Sequence, residues 1–196
     1  MTPTAPLRTP RPAGLPRHVY LGADAQTTGV AFAAIDADTG AVVMHAWRDM
    51  HKGAAHDTLE AQAVEIVRVV RRELDDCDMQ PVSLAVEQVG GGRGVQSMLR
   101  VADAAGVVAG LVQQAWPTRP LWRPRPQEWK QAAGLRGNAG KDEVRAGLSD
   151  AVVSPGDPWL GHEAFRRLRQ EVVDAIGIAW ADRAECLRAV TDREGR

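Results

Sequence analysis

Two short apolar runs in this chain each close on a carboxylate: VYLGAD at 19–24 and VSLAVE at 82–87. A run that stays apolar over so few residues reads as a strand buried on both faces, inside a sheet covered by helices. An acid at the end of such a strand lies at the rim, where α/β sheets collect their ligands. Asp24 and Glu87 are therefore candidates to converge, although each alone is also an ordinary solvated strand-end acid.

The intervening pattern supports such a sheet. Residues 28–36 (TGVAFAAID) and 40–48 (GAVVMHAWR) follow the first run after short turns, which suggests an antiparallel meander. Leu59, Ala63, Ile66, Val67, Val70 and Leu74 then recur at helical spacing, with Asp57 as the expected N-cap. GGGRG at 90–94 reads as a loop, 95–114 as a helix and 119–123 (RPLWR) as a short strand. A proline-led helix closed by Gly134, a helix at 141–152 and a single last helix at 162–190 complete the chain. The order β-β-β-α-β-α-β-α-α-α predicts an α/β fold, a mixed β-sheet flanked by helices.

With 196 residues and 44% apolar content the chain can bury one core. Five prolines, three arginines and no acid in residues 1–17 mark a flexible N-terminal arm, leaving 18–190 as the domain and 191–196 as a tail. The arm lacks the apolar segment of a secretory signal, and no stretch of eighteen apolar residues offers a membrane span. Cys77 and Cys186 stand far apart without metal-ligand spacing, as expected of reduced thiols in a cytoplasmic protein. The five histidines form no HxxxH or HExxH pattern, which argues against zinc.

A second acidic pair sharpens the reading. Glu171 and Asp174 are three residues apart and share one face of the last helix, ahead of the small, apolar AIGIAWA. Acids at the mouth of a buried helix are costly unless paired or bound to a cation. Arg166, Arg167 and Arg169 are the alternative partners. Ala175, Gly177 and Ala179 would let the helix lie close to the sheet. Four carboxylates from three elements suit oxygen-ligating cations such as Mg²⁺ or Mn²⁺. Two such ions about 4 Å apart activate water and stabilise the leaving oxygen in phosphodiester hydrolysis.

The net charge of −1 does not announce a nucleic-acid binder, but residues 119–148 carry seven basic residues against three acids. Arg136 belongs to this stretch, and Arg93 in the glycine loop is a further candidate phosphate contact. Lys141 starts a helix, where its charge and the free backbone N–H groups suit a phosphate. Its surroundings are not a Walker A motif, since Leu135 and Asp142 occupy positions that motif gives to Gly and Ser/Thr. Trp122 and Trp129 are read as core anchors before base-stacking platforms.

The chain resembles the RuvC family of Holliday-junction resolvases, within the RNase H-like nucleases, in four segments: LGADAQTTGVAF at 21–32, LAVEQV at 84–89, WKQAAGLRGNAGKDEV at 129–144 and EVVDAIGIAWA at 171–181. Its short, divergent form is similar to a phage or mobile-element version. The resemblance implies an RNase H-like fold, with Asp24, Glu87, Glu171 and Asp174 as metal ligands and Lys130 and Lys141 near the scissile phosphate. It also implies a Mg²⁺-dependent endonuclease, with Mn²⁺ able to substitute, that works as a homodimer on four-way or other branched DNA in recombination and repair. Three departures stand out: Ala25-Gln26 follows Asp24 where the family has Pro-Gly, Glu171 replaces Asp or His, and Gly90 replaces an aromatic residue. A catalytically inactive RNase H-like nucleic-acid-binding module is the alternative reading. A phosphotransferase of the actin-like class, suggested by Asp24 and Thr27-Thr28-Gly29, needs two lobes that 196 residues do not provide.

Overall fold

The computed structural model describes residues 16–50, 58–88, 95–153 and 160–194. The expected N-cap Asp57, the glycine loop with Arg93, and nearly all of the N-terminal arm lie outside them. Five strands form one sheet: β1 (Arg17–Gln26), β2 (Gly29–Asp36), β3 (Val42–Asp49), β4 (Met79–Val86) and β5 (Leu121–Trp122). Six helices complete the chain: α1 (Leu59–Asp76), α2 (Val95–Ala115), α3 (Pro126–Ala132), α4 (Lys141–Val152), α5 (His162–Arg166) and α6 (Gln170–Glu194). The expected α/β architecture is what forms, a mixed sheet with helices on both faces.

Strand order is β3-β2-β1-β4-β5. The meander β1-β2-β3 is antiparallel, as its short turns require, whereas β4 lies parallel to β1 and β5 parallel to β4 after helical crossovers. Val19, Leu21, Ala23 and Ala25 of β1 pack with α1 and α2 on one face. Ala31, Ala33 and Ile35 of β2, with Ala85 of β4, pack against α3, α4 and α6 on the other. The helical stripe Ala63, Ile66, Val67, Val70 and Leu74 is the buried face of α1, whose N-cap is Thr58, accepting from the Ala61 N–H at 3.1 Å. Ala105, Val108, Ala109 and Val112 commit one face of α2 to the core.

Several boundaries differ from the sequence reading, each for a physical reason. β1 starts at Arg17, inside the expected arm, and α6 reaches Glu194, inside the expected tail. β4 starts before Pro81, which has no N–H to give the ladder; the pairing with β1 shifts there, from Val19↔Pro81 to Tyr20↔Ser83. β5 is only two residues long because prolines flank it, and the Pro120 and Pro124 carbonyls accept from Leu84 and Gln88. The expected last helix is two. Arg145 of α4 donates to the carbonyls of Phe165 and Arg166 at 3.1 and 3.2 Å, capping α5, and α6 begins anew at Gln170.

No helix among the described residues is long and apolar enough to cross a membrane. Cys77 and Cys186 are free.

Candidate metal centre

Parallel pairing brings Asp24 and Glu87 to the same level of the sheet. Ala23 is the partner of Val86, so the next residues, Asp24 and Glu87, stand side by side, and the Glu87 N–H donates to the Ala23 carbonyl at 3.1 Å. Asp24 lies two residues inside the end of β1, and Glu87 one residue beyond β4. Asp24 is buried at 3% exposure, whereas Glu87 is half-buried at the rim.

Helix α6 supplies the other two acids by lying directly on β1. A Cβ on Gly22 would fall 2.4 Å from the Ala175 carbonyl oxygen and 2.6 Å from the Ala179 nitrogen, so only glycine admits this approach. Asp174 is half-buried beside the strand ends. Glu171, in the first turn, has a side chain 33% exposed and faces Arg169 across 3.7 Å. Of the three arginines expected as alternative partners, Arg169 alone pairs with this acidic set; its guanidinium also sits 4.3 Å from the Trp47 ring centre, and Arg167 pairs with Glu163.

The electrostatics bind the acids into one group. Burial pushes the Asp24 carboxyl well above its ordinary range, and the charges of Glu87, Asp174 and Glu171 push it further. Burial raises Glu87 to about 7, with Asp174 adding to the rise while the Trp129 hydrogen bond and Lys130 oppose it. Burial likewise raises Asp174, against the opposing effects of Gln170, Lys130 and Lys141. Lys130 and Lys141 are thus near enough to act on the acids. Lys130 donates to the Ala139 carbonyl at 2.8 Å, and Lys141 is exposed at the first position of α4. Arg136 instead forms an exposed ion pair with Glu143.

Three donors at this centre are not foreseen from the sequence. Trp129, 1% exposed, donates its indole N–H to Glu87 at 2.5 Å. Gln26 donates to both Asp24 oxygens at 3.0 and 3.3 Å, and Gln170 to Asp174 at 2.9 Å. Gln26 occupies one of the two positions where the sequence departs from Pro-Gly. Gln170 is four residues before Asp174, a spacing that allows such a bond on a helix. The Trp129 bond joins residues 42 apart in sequence and depends on how α3 docks.

The donor set fits a divalent cation in kind: carboxylate oxygens, buried and repelling one another, gain most from a hard cation. Among the described residues no three His, Cys, Asp or Glu side chains already stand close enough to ligate one ion. Ligation therefore requires the carboxylates to draw closer together around the ion.

In overall structure the chain is similar to Thermus thermophilus RuvC, at 18% identity and a TM-score of 0.63, over 87% of this chain and 96% of that one. T. thermophilus RuvC in complex with a Holliday junction substrate gives a TM-score of 0.61 at the same identity and coverage. The yeast mitochondrial Holliday junction resolvase Ydc2 gives 0.52 at 11% identity, over 91% of this chain and 87% of that one. No protein-family model and no curated protein matches the chain. The fold is RuvC-like, and at these identities the likeness speaks to the fold.

Proposed function

We propose that this chain is a divalent-metal-dependent endonuclease that resolves four-way or other branched DNA by phosphodiester hydrolysis. The observation that carries the reading is the trio Asp24, Glu87 and Asp174: three carboxylates from separate elements, desolvated and repelling one another, with two lysines beside them. Such a set costs stability unless a cation offsets it. Asp24, Glu87 and Asp174 would hold Mg²⁺, or Mn²⁺ in its place, with Glu171 as a fourth ligand at the rim. A bound ion of this kind makes water a nucleophile and neutralises charge on the leaving oxygen.

The chain's own residues do the positioning. Trp129 and Gln26 hold the Glu87 and Asp24 carboxylates in fixed orientations. Lys141 stands at a helix N-terminus, where its ammonium and the free N–H groups suit the scissile phosphate. Lys130 adds positive charge on the α3 side of the acids, and Arg136 would reach the DNA backbone farther out, on giving up Glu143. Arg93 is proposed as another backbone contact from the glycine loop.

Branched DNA as substrate draws support from the likeness to RuvC, to its complex with a junction, and to Ydc2. A four-way junction has two-fold symmetry, so a homodimer matches it. Free cysteines agree with work in a reducing cytoplasm. The test is incubation with four-way junction, flap and linear duplex, with and without Mg²⁺ or Mn²⁺. Paired nicks in the junction alone, only with metal, are expected. Equal cutting of all three would remove the junction from the proposal, and no cutting of any would remove the nuclease.

A further inference from the structure

Farther along α6, a second acid is buried without a role in the metal centre. Asp182 is eight residues past Asp174, about 12 Å along the helix. It lines a cavity of about 560 Å³ together with Trp122 of β5, Glu128 and Ala132 of α3, and Glu185 and Arg188 of α6. The other charged groups there are engaged. Arg188 donates to the Ala132 carbonyl at 2.7 Å and to Glu185 at 2.6 Å, and Glu128 accepts the Arg125 N–H at 2.7 Å. Asp182 differs: it is 3% exposed and its Oδ2 has no hydrogen-bond partner. The rest of the carboxyl group is met by the Ser83 hydroxyl and by the Cys186 thiol, a weak donor 3.9 Å from Oδ1.

A buried carboxylate with an unmet oxygen is costly, and Arg188, the cation lining the cavity among the described residues, is committed to Ala132 and Glu185. A metal ion is the poorer occupant, because the other carboxylates lining the cavity, Glu185 and Glu128, are already held by Arg188 and by the Arg125 N–H. The volume suits a ligand of several atoms, and Trp122 offers an aromatic wall for a cation or an apolar stem. We propose that this cavity binds a primary alkylammonium cation, its head on Asp182 and its stem along Trp122.

Burial pushes Asp182 up to about 7, so binding a cation there is linked to release of a proton. Around the carboxyl group stand Tyr20 from β1, Ser83 from β4, and Glu185 and Cys186 from α6, with Glu128 across the cavity. Tyr20 is raised to about 12 and Cys186 is raised by burial, so neither loses its proton between pH 6 and 8. Affinity should rise with pH across that window as Asp182 ionises.

The probe is n-butylammonium chloride, titrated into the full chain and followed by the Trp122 indole resonance, assigned with Trp122→Phe. Saturable shifts at pH 8 are expected, with affinity about tenfold lower at pH 6, as one charge with a pKa near 7 dictates. Equimolar 1-butanol, the same stem without the charge, should shift the resonance far less. Asp182→Asn should weaken binding at least tenfold, whereas Asp174→Asn should leave it unchanged, which separates this cavity from the metal centre. Equal shifts with butanol, undiminished binding in Asp182→Asn or loss of binding in Asp174→Asn would each overturn the proposal. Should Asp182→Asn not fold, the wild-type comparison at pH 6 and 8 decides, and affinity independent of pH counts against it.

Discussion

Trp129 shows what a single side chain contributes here. Its indole is packed against Gly177 of α6, where a Cβ would come within 2.6 Å of the ring, and its N–H meets Glu87. Trp129→Phe keeps most of the packing and removes the donor. We expect a loss of about 1–2 kcal/mol in unfolding free energy, seen by denaturant titration. Support of a ligand by its neighbours typically matters 10–100-fold in metal affinity, so the apparent Mg²⁺ affinity should fall by roughly that factor. Asp24→Asn predicts the opposite sign for stability. Removing a desolvated charge that repels Glu87 and Asp174 should raise the melting temperature of the metal-free protein by a few degrees, on the order of 1 kcal/mol. Calorimetry in a chelator checks this, and an unchanged or lower melting temperature would mean that the carboxylate is not under strain.

Among the elements, α6 has the largest consequence, because it carries Asp174 and Glu171 to strands set far earlier in the chain. The contact depends on Gly22. Gly22→Val should cost about 3 kcal/mol through overpacking, or push α6 away and abolish Mg²⁺ binding in calorimetric titration. A stable, metal-binding Gly22→Val would contradict the packing described. The sequence makes much of this legible. Apolar runs closing on Asp24 and Glu87 foretell two strand ends, and the small residues Ala175, Gly177 and Ala179 foretell a helix lying close to a sheet. What it leaves illegible are contacts made between distant elements. The break before α6 depends on Arg145 of α4 reaching the end of α5, and the shortness of β5 depends on prolines at its flanks. The donor to Glu87 comes from a helix whose docking no local pattern specifies.

Across the whole molecule, buried acids make stability depend on pH in an unusual direction. Glu87 sits at about 7 in the folded protein against an ordinary 4.5, so the folded state holds that proton more tightly than the unfolded chain. Below pH 4.5 both states are protonated and this contribution is complete. As pH rises from 4.5 through 7 it is lost, by about 3–4 kcal/mol at 1.4 kcal/mol per pKa unit. Asp182 adds a loss of the same sign up to about 7. The metal-free protein should therefore melt lower at pH 8 than at pH 5.5, and Mg²⁺ should restore part of the difference at pH 8 by binding the folded state. A melting temperature that rises with pH in chelator would contradict this. The central claim, that Asp24, Glu87 and Asp174 form one catalytic metal centre, is tested most directly by cleavage of a labelled four-way junction in Mg²⁺. Wild type should cut, whereas Asp24→Asn, Glu87→Gln and Asp174→Asn should each lose at least a hundredfold in rate while still binding the junction; cutting at the wild-type rate by any of the three would contradict it.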